Sequence, residues 1–256
     1  MKEENVIFNN KGEKLAGVLH TPEAETKSAV VFCHGFAADK NDYRNKLVRA
    51  ARKICTNGFS ALRFDLQGCG ASDGRFVDTT ISTEAEDLRA AIDFIKGLGY
   101  ERIGILGSSL GGFVSILAND SRIKCMALWS PVLSLKDTFL RTEKISQQMI
   151  AEAMTKGFTI YKKSDGREVE LGKEFVKEVN SLEIFDIIKR INYPLLIVHG
   201  NKDETVDYRY SEKYIRYAAG QKKLLIIPGA DHDFTTPDHE QQLTEATIEW
   251  FKVWLK

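Results

Sequence analysis

A chain of 256 residues can bury one substantial core, and its 36 basic side chains balance 36 acidic ones, so neither nucleic acid nor an anionic membrane surface is indicated as a partner. Five scattered histidines and four cysteines (Cys33, Cys55, Cys69, Cys125) without a CxxC pair exclude a zinc ribbon or a dithiol redox motif. No apolar run approaches the roughly 18 residues of a membrane span, and the opening MKEENVIFNN lacks the apolar centre of a secretory signal, so a cytoplasmic protein is expected.

The opening predicts two antiparallel strands near Asn5–Asn9 and Lys14–His20, turned by Asn10-Lys11-Gly12. Apolar runs then alternate with helical patterns: a strand over Ser28–Cys33, a helix over Asn41–Asn57, a strand over Ser60–Asp65 and a helix over Thr83–Leu98 with Thr83 and Glu86 as its capping box. Strands over Arg102–Leu106 and Ile123–Trp129 flank a helix over Leu110–Ala118. Pro194–Val198 and Lys223–Ile227 read as two more strands, separated by a helix over Asp207–Ala218. A last helix, Glu240–Leu255, is expected to bury Leu243, Ala246, Trp250, Phe251 and Trp254. Continuous apolar strands alternating with helices imply a mostly parallel sheet covered on both faces.

The rhythm breaks between Pro131 and Pro194, an interval too long for one crossover helix. It holds an amphipathic stretch near Thr142–Lys156 and an expected hairpin, FTIYKKSDGREVELG, turning at Asp165-Gly166. The expected organisation is an α/β core over residues 1–131 and 193–256, with a small cap over 132–192.

Chemistry concentrates in a few loops. Gly107-Ser108-Ser109-Leu110-Gly111 fits the G-x-S-x-G nucleophile elbow, with the strand RIGIL leading in and the helix LGGFVSILA leading out. Gly70-Ala71-Ser72-Asp73-Gly74 has the same pattern, but no helix follows it directly, so Ser72 reads as a loop residue bonded to its own backbone. A serine hydroxyl needs a base. His232, in GADHD after the last strand, is the histidine placed to serve; a surface loop histidine is the bland reading. Asp203, beyond PLLIVHG, would orient it, completing the chain order Ser, Asp, His; Glu204 and Asp207 are neighbouring carboxylates that could substitute. The oxyanion donors are expected to be the backbone N–H groups of Leu110, directly after the nucleophile, and Phe36, in His34-Gly35-Phe36. If Phe36 gives only its N–H, its side chain should matter little to turnover.

The ordered set HGFAADK, LRFDLQGCGASDG, GSSLGG, HGNKDETV and GADHDF resembles the α/β-hydrolases, and more closely the bacterial cinnamoyl and feruloyl esterase-like serine hydrolases, along nearly the whole chain. The resemblance implies a triad of Ser109, Asp203 and His232, oxyanion donors Phe36 and Leu110, and cofactor-free hydrolysis of carboxylic esters. Relatives commonly carry G-H-G where Gly68-Cys69-Gly70 stands, in a loop of mainly structural role. The family's cap holds the substrate's phenolic end with polar residues; Asp137, Gln147 and Gln148 are the candidates, although each also fits ordinary helix-surface polarity. Aromatic and apolar cap residues, among them Phe139, Ile145, Met149, Phe158 and Tyr161, would wall a short or aromatic acyl group. The expected partner is a small-molecule ester, with neither nucleic acid nor membrane; a homodimer is compatible with the sequence. Other readings on the same triad are a monoacylglycerol lipase, a thioesterase or a peptidase; a different one is a non-catalytic binder on this fold.

Overall fold

The computed structural model describes residues 1–163 and 165–256. Lys2–Asn10 (β1) and Glu13–Thr21 (β2) pair antiparallel across Lys11 and Gly12, whose φ values of 49° and 99° suit the twist of a two-residue hairpin. Ser28–Cys33 (β3), Ser60–Phe64 (β4), Arg102–Ser108 (β5) and Ile123–Trp129 (β6) follow. Phe158–Lys162 (β7) and Glu168–Gly172 (β8) form a separate antiparallel pair, and Leu195–Gly200 (β9) and Lys222–Ile227 (β10) complete the main sheet. That sheet runs β1-β2-β4-β3-β5-β6-β9-β10, parallel from β4 onward.

Period-two alternation divides each buried strand between two apolar layers. Val30, Phe32, Leu106, Trp129 and Val198 face Lys46–Thr56 (α1) and Pro237–Trp254 (α8). Ala29, Val31, Ile105, Leu128 and Ile197 face Ile81–Gly97 (α2) and Leu110–Ala118 (α3). Burying both faces is why these strands are continuously apolar, each buried Leu or Ile contributing about 1.5–3 kcal/mol.

Three helix expectations need correction. The helix expected from Asn41 begins at Lys46, because Asp39 Oδ1 accepts the N–H groups of Asn41 (2.7 Å) and Asp42 (3.2 Å), and Asp42, Arg44 and Asn45 take positive φ. The capping box of α2 lies three residues earlier than expected: Thr80 is its N-cap and exchanges hydrogen bonds with Thr83, while Glu86 pairs with Lys11 instead. On α8 the buried stripe is Leu243, Thr244, Thr247, Ile248 and Phe251; Ala246, Trp250 and Trp254 are only half-buried. Thr247 is buried because its hydroxyl accepts the indole N–H of Trp129 at 2.9 Å.

Between β6 and β9 stand a π-helical turn (Lys136–Leu140), Gln147–Lys156 (α4), the β7–β8 hairpin, Lys173–Ser181 (α5) and Phe185–Ile188 (α6). Ser164, within the segment read as a hairpin, lies outside the described residues. Phe139, Ile145, Ala153, Leu171, Phe175, Val176 and Val179 join the same apolar layer as α2 and α3, so the insertion shares the main core. Between β9 and β10 lies Arg209–Tyr214 (α7) with a 3₁₀ turn behind it. Among the described residues no helix is long and apolar enough to cross a membrane.

Candidate active site

The site is built where β5 meets α3. Ser109 sits between them at φ 54° and ψ −119°, a strained conformation for a residue with a Cβ. Its neighbours explain how that strain is held. Ser109 N–H donates to the Trp129 carbonyl (2.9 Å), and the Ser109 carbonyl accepts from Gly112 (3.0 Å) and Val132 (2.9 Å). A Cβ on Gly107 would lie 2.7 Å from the Gly111 carbonyl, and one on Gly111 would lie 2.2 Å from that of Cys33. The turn therefore closes only with glycine at both positions, and the hydroxyl is thrust out at the carboxyl edge of the sheet.

The Ser109 hydroxyl donates to His232 Nε2 at 3.0 Å, and His232 Nδ1 donates to Asp203 Oδ2 at 2.7 Å. The three residues expected from sequence thus form one hydrogen-bonded line, although 123 and 29 positions separate its consecutive members. The Asp203 side chain is buried completely. Burial alone would raise its pKa, but hydrogen bonds from His199 and His232, the His232 charge and the Val206 N–H outweigh that and hold it well below the usual carboxylate range. Glu204 and Asp207 take no part in this line; Asp207 pairs with Arg209.

Nothing in the sequence singles out His199, which lies in the run PLLIVHG and in β9. Its Nε2 faces both Asp203 Oδ2 (3.0 Å) and the Val206 carbonyl (3.1 Å), so it carries the proton, while Nδ1 accepts from the Ser211 hydroxyl at 2.7 Å. Only a contact made in three dimensions exposes this role. Ser72, in contrast, has no hydroxyl to spare: its Oγ donates to the Asp65 carbonyl (2.6 Å) and accepts from Ala16 N–H (2.9 Å). The four cysteines are buried, and burial pushes each thiol up, which removes them as nucleophiles.

Among the described residues, no protein acceptor takes the N–H of Leu110 or of Phe36. Gly35 brings its loop against the serine: a Cβ there would lie 3.2 Å from that of Ser109. The Phe36 side chain also ties its loop to the insertion. Its ring meets Phe76, Phe139, Tyr161 and Phe175 at centroid distances of 5.2–5.7 Å, and the last three belong to the insertion.

A cavity of about 580 Å³ opens on Ser109 and His232, lined also by Phe36, Asp39, Asp42, Arg44, Tyr161, Lys163 and Arg167. Its size suits a small molecule. Asp137, Gln147 and Gln148 do not line it. The Asp137 carboxylate accepts from Ser134 (2.6 Å) and pairs with Arg141 (2.6 Å), and Gln147 and Gln148 are exposed on the first turn of α4. The polar residues that the insertion does bring to the cavity come from the hairpin, where strand alternation alone cannot say which side chain faces the serine. Beneath the cavity, the buried Lys46 ammonium joins Asp233 (2.9 Å) to Asp42 (3.4 Å), and Ser108 Oγ donates to Asp42 at 3.3 Å. A second cavity, of about 350 Å³, lies beside Cys69, Phe76 and Glu170 and touches none of the three aligned residues.

A family model described as serine aminopeptidase, S33, matches residues 24–180, well over half of the chain and including the serine turn. The chain belongs to this S33 α/β-hydrolase family. This S33 hydrolase is 26% identical over 252 residues to an uncharacterized 31.7 kDa protein of Escherichia coli, covering 94% of this chain and 85% of that protein. It is 23% identical to an acyl transferase of Shewanella hanedai, across 82% and 68% of the two chains. Among solved structures it superimposes on Est1E of Butyrivibrio proteoclasticus with bound ferulic acid at a TM-score of 0.83, with 26% identity, covering 97% and 98% of the chains. The esterase domain of a Rhodothermus marinus protein shares the fold at a TM-score of 0.77 and 24% identity over both full chains. The family model and these likenesses agree in placing the S33 hydrolase among the α/β-hydrolases.

Proposed function

We propose that this protein is a serine carboxylesterase that cleaves small carboxylic esters through an acyl-enzyme on Ser109. The observation that carries the reading is the unbroken line from Ser109 through His232 to a buried, ionised Asp203, beside a cavity of small-molecule size. His232 takes the hydroxyl proton as Ser109 attacks the ester carbonyl. Asp203 holds the imidazole in the tautomer with Nδ1 protonated and stabilises its cation. The free N–H groups of Phe36 and Leu110 receive the developing oxyanion. His232 then protonates the leaving alcohol, and water releases the acid by the same steps.

The insertion acts as a cap, and its size and the Phe36 and Tyr161 rings on the cavity favour short-chain and hydroxycinnamate or other aryl esters. The likeness to a protein that binds ferulic acid supports that choice. An aminopeptidase on the same serine is the second reading, favoured by the family's description. It would need a carboxylate for the substrate's terminal ammonium. Asp42 and Asp233 already hold Lys46, and Asp165 holds Arg167, which leaves Asp39 for that task.

The test is a panel of acetyl, butyryl, feruloyl and long-chain monoacylglycerol esters with aminoacyl arylamides, together with a fluorophosphonate label located by peptide mass spectrometry. The reading expects label on Ser109 and none on Ser72, with short or aryl esters having the highest kcat/KM. Highest kcat/KM for long-chain monoacylglycerols would replace it with a lipase, and for the arylamides with a peptidase. Label on Ser72 alone would overturn the site.

A further inference from the structure

The loop that carries the Phe36 N–H is held from two sides. From the core, His34 Nδ1 donates to the Gly35 carbonyl at 2.9 Å, its Nε2 accepting from Leu66 N–H at 3.1 Å. From the insertion comes Lys163, which follows β7 and lines the cavity with Ser109. Its half-buried ammonium donates to the carbonyls of Ala37 (2.8 Å) and Phe36 (3.3 Å). Ala37 takes φ 45°, an unfavourable value for alanine that persists only where the surroundings fix it.

Peptide planarity passes this contact to the oxyanion donor. The Ala37 carbonyl and the Ala38 N–H belong to one rigid peptide. That N–H donates to the Gly35 carbonyl at 3.2 Å. The Gly35 carbonyl and the Phe36 N–H belong to the next rigid unit in this relay. An ammonium on the first carbonyl therefore sets the direction of the Phe36 N–H through two planar groups, and its charge polarises both in the sense that strengthens the last donor. The geometry points to Lys163 as a positioning residue for the oxyanion hole, so that the insertion completes the catalytic site as well as covering it. This deepens, and rests on, the reading of Ser109 as the nucleophile.

The test compares wild type with Lys163→Met and Lys163→Arg, using a short-chain p-nitrophenyl ester and an alkyl boronic acid that mimics the tetrahedral intermediate on the serine. For Lys163→Met, kcat should fall on the order of tenfold to a hundredfold, part of the loss seen when a whole oxyanion donor is removed. KM should stay within about twofold, boronate affinity should fall by the same factor as kcat, and Lys163→Arg should recover most of both. A residue of merely structural role would lower the yield of active enzyme without separating boronate affinity from KM. An unchanged kcat, or a raised KM with kcat preserved, overturns the inference, the latter making Lys163 a substrate contact. Lys163→Leu, likewise without a donor, serves the same comparison should the methionine variant not fold, and unchanged kcat and boronate affinity there are equally decisive. Wild-type turnover and fluorophosphonate labelling of Ser109 are measured first. Their absence overturns both readings, whereas their presence with an unaffected Lys163→Met overturns this one alone.

Discussion

Replacing His199 by phenylalanine separates the stability of the acid loop from the chemistry of the serine. Asp203 accepts four hydrogen bonds: from His232 Nδ1 (2.7 Å) and His199 Nε2 (3.0 Å) on Oδ2, and from the N–H groups of Thr205 and Val206 (both 2.8 Å) on Oδ1. The phenyl ring removes one of them, a bond to a charged group contributing about 1.5–3 kcal/mol. It also strands the buried Ser211 hydroxyl, whose partner was His199 Nδ1, and weakens the satisfaction of the Val206 carbonyl; each orphaned group costs about 1–3 kcal/mol. Because the shape is retained and the loop can relax, a total loss of about 2–5 kcal/mol is expected. In a chain of this size that lowers Tm by roughly 5–15 °C. The bond from His232 to Asp203 survives, so kcat should fall less than about tenfold. His232→Phe should instead abolish turnover with a smaller fall in Tm, because it removes one bond to Asp203 but strands neither the Ser211 hydroxyl nor the Val206 carbonyl, and His232 is the more exposed of the two. Thermal unfolding followed by circular dichroism, with ester turnover on the same samples, reads both quantities. If His199→Phe abolished turnover while leaving Tm unchanged, His199 rather than His232 would be the histidine that Asp203 serves, and the site would need to be redrawn.

Gly111→Ala places a methyl 2.2 Å and 2.4 Å from the Cys33 and His34 carbonyls, which are backbone atoms and cannot swing away. Fluorophosphonate labelling of Ser109 should slow at least on the order of tenfold and stability fall by about 1–3 kcal/mol, whereas Gly97→Ala, with open space around it, should change neither. Phe36→Leu removes four ring contacts to Phe76, Phe139, Tyr161 and Phe175, each contributing about 0.5–1.5 kcal/mol beyond buried area, so Tm should fall measurably; an unchanged Tm would show that the cluster does not hold the insertion down. Glu84 is buried, and burial first, with Asp87 and Glu178 adding, pushes it up to about 8 from 4.5. The fold keeps this proton where the unfolded chain has lost it, so the contribution is full below pH 4.5 and fades by up to about 1.4 kcal/mol per pH unit towards pH 8. The Tm advantage of Glu84→Gln over wild type should therefore widen from pH 5 to pH 8, and a constant difference would mean that Glu84 is ionised in the fold.

The fold class, the eight strands of the main sheet and the three aligned residues were all legible in the chain, because their signals are local. The β5–α3 turn announces itself through strand, small residues and helix within about 17 positions of Arg102–Ala118. Asp203 and His232 stand out as loop residues after later strands in the order that the fold uses. The start of α1 and the capping register of α2 were misjudged because side chains of Asp39 and Thr80, not apolar periodicity, set them. The polar residues of the cap were misjudged for a different reason. Asp137, Gln147 and Gln148 sit at helical positions whose direction depends on how the insertion docks, and docking is decided by Phe139, Phe175 and Leu171 joining the common core.

What the sequence by itself determined is therefore the architecture and the identity of the aligned serine, aspartate and histidine, since each depends on periodicity, turn chemistry and chain order. Only the tertiary structure decided what surrounds them. His199 on Asp203, Lys46 between Asp42 and Asp233, and Lys163 on the Phe36 loop are each made by groups whose meeting depends on sheet order and on the packing of the insertion. A hydrogen bond acts over about 3 Å, and no pattern along the chain specifies positions in space that closely.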